Sequence, residues 1–112
     1  MFGRPLAEFE NTRKMLAEVA VELASVHALL DECISARLHS AITPAMAASA
    51  AIASATAHAR SVDHGLQLHG GYGYMREYPI AQAYTDAMRL RLEIAGTAAS
   101  TQVATALGLK TP

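Results

Sequence analysis

The chain has no tryptophan, two phenylalanines and a single cysteine in 112 residues, and aromatics make up 5% of it. Ring side chains therefore cannot be the main filling of its core. Cys33 alone excludes an internal disulfide and a thiolate metal site, and it suits a reducing compartment. An excess of one charge is also lacking. The formal net charge is −1, which gives neither a nucleic-acid footprint nor attraction to anionic membranes. Long apolar runs are missing too. The Ala/Ser tract from Ala45 to Ala57 is too short and too weakly apolar to span a bilayer. Met1-Phe2-Gly3-Arg4 has no apolar core of a signal peptide. No repeat of about 20–50 residues and no strand-like alternation is visible. The histidines at 27, 39, 58, 64 and 69 lack the close carboxylate or sulfur partners of a metal site. These absences lead to the expectation of one soluble, cytoplasmic domain spanning 1–112.

What the chain has in abundance is alanine, the best helix former and one that lets helices approach closely. An all-α, up-down bundle of three long helices and a short C-terminal one is expected. The first helix is read from Pro5 to about Leu38, with Leu6, Phe9, Leu16, Val19, Leu23, Val26, Leu30 and Ile34 as its buried stripe. Val21, Ala28 and Leu29 widen the apolar zone beyond one side. Thr43-Pro44 signals a hydroxyl cap and an N1 proline for a second helix, ending near Leu68. Pro79 opens a third helix to about Glu93, with Ile80, Tyr84, Ala87, Met88 and Leu92 facing inward. After the break at Gly96, Thr97 caps a fourth helix that ends near Leu107, before Gly108.

Between helices two and three lies Gln67-Leu68-His69-Gly70-Gly71-Tyr72-Gly73-Tyr74-Met75-Arg76-Glu77-Tyr78-Pro79. Its glycines allow positive φ and close backbone approach, and three tyrosines crowd around them. These glycines follow a helix and not a strand, so the dinucleotide-fold and P-loop readings fail on context. Backbone amides at such a corner can cradle a phosphate. A helix–helix turn closed by aromatic packing is the competing reading, slightly favoured by spacing alone. His69 reads as a ligand contact or, more commonly, a helix-end cap. Arg76 with Glu77 reads as a solvated pair, Arg76 being also a minor candidate for an anionic group, and Asp86 with Arg89 and Arg91 as intrahelical pairing in which only the first spacing is favourable. Glu93, near the end of the third helix, is a candidate general base, against the commoner reading of a lone surface carboxylate.

Taken together, these segments resemble the C-terminal helical domain of the acyl-CoA dehydrogenases, a family of FAD-dependent flavoenzymes. Phe2-Gly3-Arg4-Pro5-Leu6-Ala7-Glu8-Phe9 resembles the Phe-Gly-x-Pro-Leu opening of a long helix in that family. Gln67-Leu68-His69-Gly70-Gly71-Tyr72-Gly73-Tyr74 resembles its Gln-x-x-Gly-Gly-x-Gly-Tyr segment, and Tyr84-Thr85-Asp86-Ala87 its Tyr-Arg-Asp-Ala. Gly96-Thr97 is similar to the Gly-Thr that opens its last helix. The resemblance covers essentially the whole chain. It implies that Gln67, Leu68, Gly70 and Gly71 contact the adenylate and pyrophosphate of FAD held by a neighbouring subunit, with Phe2 and Thr97 also near the cofactor.

It also marks departures. Ala95 stands where many members carry the catalytic Glu, and Glu93 lies two residues before it. The first helix of the family's C-terminal bundle has no counterpart here, which predicts exposed apolar flanks and association with another chain. The implied function is contribution to FAD binding and oligomerisation in α,β-dehydrogenation of acyl-CoA thioesters, without catalysis by this chain alone. The implied partners are a second copy or a full-length acyl-CoA dehydrogenase subunit. The alternative is a non-catalytic assembly module or partner subunit without flavin.

Overall fold

The computed structural model describes residues 9–68, 79–94 and 96–109. Four helices follow one another: α1 (Glu10–Leu38), α2 (Pro44–Leu68), α3 (Pro79–Ile94) and α4 (Thr97–Ala106). No strand occurs among the described residues. The all-α reading holds, and the described helix bounds fall within a residue or two of those expected, except that α1, expected from Pro5, begins at Glu10, because Phe9 is extended at φ −75° and ψ 134° and takes the cap position.

Local chemistry explains the bounds. The Met46 N–H donates to Thr43 Oγ1 at 3.1 Å, the hydroxyl cap that Thr43-Pro44 announces. α1 and α4 finish with the same device. At the end of α1 the Ala41 and Ser40 N–H groups donate to the Ala36 and Arg37 carbonyls, with Ser40 in the left-handed region at φ 55°. After α4 the Leu109 and Gly108 N–H groups donate to the Ala104 and Thr105 carbonyls, with Gly108 at φ 78°. Both are Schellman motifs. At the start of α4 the cap position belongs to Gly96, which has no side chain to make a cap bond, and Thr97 is the first helical residue. The expectation of a Thr97 cap is therefore corrected.

α2 is the spine, and α1, α3 and α4 each pack on it. Its buried residues are Ala48, Ala50, Ala55, Ala57, Ala59 and Leu66, so three neighbours reach its backbone closely. Ala87 of α3 is fully buried, and Cys33 of α1 donates to the Met46 carbonyl at 3.6 Å. Gly65 marks the tightest approach: a Cβ there would lie 2.9 Å from Ile80 Cδ1. Among the described residues no large side chain is fully buried. The core is broad in contact and thin in volume.

Two expectations about inner faces are corrected. α1 buries Thr12, Val26 and Cys33, while Leu16, Leu23 and Ile34 are 45%, 40% and 57% exposed. The single stripe read from sequence is two stripes. At 100° per residue they lie about 65° apart on the helix, and α2 covers only one of them. On α3, Ile80, Tyr84, Ala87 and Met88 turn inward as expected, but Leu92 is exposed. Asp86 accepts from Gln82 Nε2 at 3.0 Å in place of the expected arginine partner.

Candidate functional site

The site read from sequence centres on the connection from α2 to α3. Phe2, His69, Gly70, Gly71, the tyrosines at 72, 74 and 78, Arg76, Glu77 and Ala95 lie outside the described residues. The two helices that frame the connection are described. Gln67 is exposed in the last turn of α2, its Nε2 donating to Asp63 Oδ2 at 3.2 Å. Leu68 is half-buried beside it as the final residue of α2. The Gly65–Ile80 contact clamps the C-terminal end of α2 to the first turn of α3. The corner therefore springs from a fixed pair of helix ends.

Thr97 is placed elsewhere. It opens α4, beyond the far end of the 16-residue α3. At 1.5 Å per residue α3 puts its far end, next to Thr97, about 22 Å from its first turn at Pro79. Gln67 and Leu68 come together; Thr97 does not join them within one chain. Glu93 is exposed in the last turn of α3, at the Thr97 end. No set of three or more His, Cys, Asp or Glu side chains among the described residues can hold a metal ion. No helix of the described residues is long and apolar enough to cross a membrane.

Sequence reasoning did not single out the groove between α1 and α2. An open hollow of about 780 Å³ is lined by Lys14, Ala17, Glu18, Val21, Glu22, Arg60 and His64. Arg60 donates to Glu22 Oε1 at 3.0 Å across it, and His64 Nδ1 is buried without a protein partner. Glu22 also borders a second, mostly apolar hollow with Val26, Leu29 and Ile52. The groove juxtaposes residues 38 positions apart, so no local spacing announces it. Arg60 and Glu22 pair with each other, and the groove holds no nucleophile–base pair of a catalytic site.

Comparison with known proteins bears on the whole arrangement. The model of the family described as "Acyl-CoA dehydrogenase, C-terminal domain" matches residues 1–104. The chain is 41% identical over 91 residues to a mitochondrial long-chain specific acyl-CoA dehydrogenase of Sus scrofa, covering 77% of this chain and 20% of that protein. It is 38% identical over 88 residues to an acryloyl-CoA reductase (NADH) of Anaerotignum propionicum, covering 77% and 22%. It is 35% identical over 108 residues to a 3-sulfinopropanoyl-CoA desulfinase of Paraburkholderia xenovorans, covering 86% and 27%. The chain thus spans roughly a fifth to a quarter of the length of these relatives. No solved structure matches it. With the family model matching from the first helix into the fourth, and an α2–α3 frame that leads into the glycine corner, the chain belongs to the acyl-CoA dehydrogenase family through its C-terminal helical domain.

Proposed function

We propose that this chain serves as the flavin-facing and assembly-forming part of an acyl-CoA dehydrogenase-type enzyme. In that role it contributes contacts to the adenylate end of FAD, while other protein parts hold the acyl-CoA thioester. The observation that carries this reading is the family match over residues 1–104. Gln67 stands exposed where α2 gives way to the glycine corner, so its amide is free to turn from Asp63 to a ligand.

The described residues suit one end of such a cofactor. Asp63 and the carbonyl-bearing C-terminal end of α2 both disfavour phosphate there. Gln67 and half-buried Leu68 are therefore assigned to the uncharged adenosine portion, and the pyrophosphate to backbone amides of Gly70 and Gly71. Thr97, beyond the far end of α3, is assigned to a different part of a flavin or to a second flavin across a subunit boundary.

When bound, FAD supplies the acceptor for the hydride that leaves the acyl chain in α,β-dehydrogenation. The α-proton must pass to a carboxylate held close to the thioester. Position 95, where many members place that carboxylate, is alanine here, and Glu93 lies out in solvent. This chain alone is therefore non-catalytic. The CoA thioesters named for the relatives make an acyl-CoA the substrate class proposed for the complete assembly.

The second reading is an assembly module without flavin, favoured by Ala95 and by the exposed apolar residues of α1. Fluorescence anisotropy of FAD titrated with the purified chain separates the two. The flavin reading expects saturable binding, weakened about 5-fold in Gln67→Ala by loss of one hydrogen bond of ~1 kcal/mol. No saturable change up to about 1 mM chain would sink it in favour of the assembly reading. Turnover of an acyl-CoA by FAD and this chain, with an artificial acceptor, would refute the non-catalytic assignment.

A further inference from the structure

Gln67 is tied to its own helix in a way that fixes what it offers to a ligand. One turn earlier on α2 stands Asp63, and Gln67 Nε2 donates to its Oδ2 at 3.2 Å. A carboxylate accepts hydrogen bonds and does not donate them, whereas a side-chain amide has an accepting end and a donating end. Only the NH₂ end of Gln67 can therefore turn to Asp63, because its carbonyl would meet a second acceptor there. The bond uses one of the two N–H groups. Oε1 and the other N–H are left over, on an exposed side chain in the last turn of α2. Although exposed enough to turn away, Gln67 needs no turn to meet a ligand.

Asp63 is available for this because the neighbouring cation is engaged elsewhere. Arg60 lies three residues before Asp63, within reach on the same helix. Its guanidinium instead donates to Glu22 Oε1 of α1 at 3.0 Å. No basic residue stands in the last turn of α2. Asp63 is also close to the carbonyl-bearing end of its helix, the end that disfavours an acidic side chain. Helix stability does not account for an aspartate at this place.

We propose that Asp63 is a positioning residue that makes Gln67 a reader of adenine. It holds the amide so that an acceptor and a donor are presented together, and so selects adenine over a purine with a carbonyl in place of the amino group. Adenine carries the N6 amino donor beside the N7 acceptor, and glutamine reads that pair with its carbonyl and amide in duplex DNA. Guanine carries two acceptors, O6 and N7, at the same edge, and so does hypoxanthine. An unrestrained amide can turn its NH₂ end to O6; one held by Asp63 sets Oε1 against an acceptor. Half-buried Leu68 offers apolar surface beside it. This role presupposes that the adenosine portion of FAD meets Gln67 and Leu68, as proposed above. It adds which edge of the base is read and which residue enforces the reading.

The test compares FAD with its analogue carrying hypoxanthine in place of adenine, each titrated with the purified chain and followed by flavin fluorescence anisotropy. The wild-type chain is expected to bind FAD about 10-fold more tightly than the analogue. Asp63→Asn has an amide that both donates and accepts. It accommodates either orientation of Gln67 and lowers the preference to about 2-fold or less. Asp63→Glu keeps an acceptor-only group one turn before Gln67 and retains the preference. Far-ultraviolet circular dichroism of Asp63→Asn should match the wild type, because a carboxylate near the end of α2 is not what holds the helix. Equal affinity of the wild type for the two dinucleotides would overturn the role of Asp63 and leave flavin binding intact. A preference that survives Asp63→Asn would overturn it as well. Absence of FAD binding would bring down the flavin reading and this role together, so the FAD titration alone tells the two failures apart.

Discussion

Gly65 and Ile80 set the spacing of the two helices that frame the glycine corner, and their coupling is measurable. In a helix interior Gly65→Ala should gain about 1 kcal/mol of helix propensity. The new Cβ, however, would stand 2.9 Å from Ile80 Cδ1, with Cγ1 of the same side chain at 3.7 Å. Only the terminal methyl must yield, and pushing it off its rotamer costs ~0.5–1.5 kcal/mol. The single substitution should therefore come out near neutral. Ile80→Val removes that methyl and by itself destabilises by ~0.5–1.5 kcal/mol. Once Ile80→Val is in place, the nearest remaining atom is at ordinary contact distance, so Gly65→Ala recovers its full ~1 kcal/mol. A double-mutant cycle from urea denaturation should show favourable coupling of about 1 kcal/mol. Additivity within ~0.3 kcal/mol would show that Ile80 is not what the missing side chain makes room for.

Further predictions concern the helix ends and the groove. Ser40→Gly relieves a left-handed serine at φ 55° and should raise stability by about 1 kcal/mol, or the melting temperature by ~4 °C or more. Gly108→Ala imposes the converse strain at φ 78° and should fray α4, seen as faster amide exchange at Leu107 and Leu109. Thr43→Ala removes the hydroxyl that caps Met46 and should cost ~1 kcal/mol in denaturant titration. Arg60→Ala breaks the pair with Glu22, in which the arginine side chain is 64% exposed. Its effect should stay below about 1 kcal/mol and shrink in high salt.

The helix ends were legible because their chemistry is local. Thr43-Pro44, Pro79 and Gly108 act on backbone groups within a turn, and each stands where the expected boundary falls. Inner faces were less legible. α1 carries two apolar lines, and period alone does not say which one meets α2; that choice follows from the crossing of whole helices. The corner's frame was readable from Gln67 and Leu68 at the end of α2. The distance of Thr97 from them was not, because it depends on α3 being packed as one straight span. The Arg60–Glu22 groove had no sequence signal, since its residues meet only through the α1–α2 turn.

The alanine surface of α2 has a consequence for how the bundle adapts to change. Burying alanine freezes no rotamers, so Ala48, Ala50, Ala55, Ala57 and Ala59 contribute to packing without side-chain ordering entropy. By the same token they have no alternative conformations to offer. A perturbation on any neighbour meets a template that cannot repack, and accommodation must come from the longer side chains on α1, α3 and α4 or from whole-helix displacement. The spine thus fixes the positions of the three surrounding helices while leaving sequence variation to them.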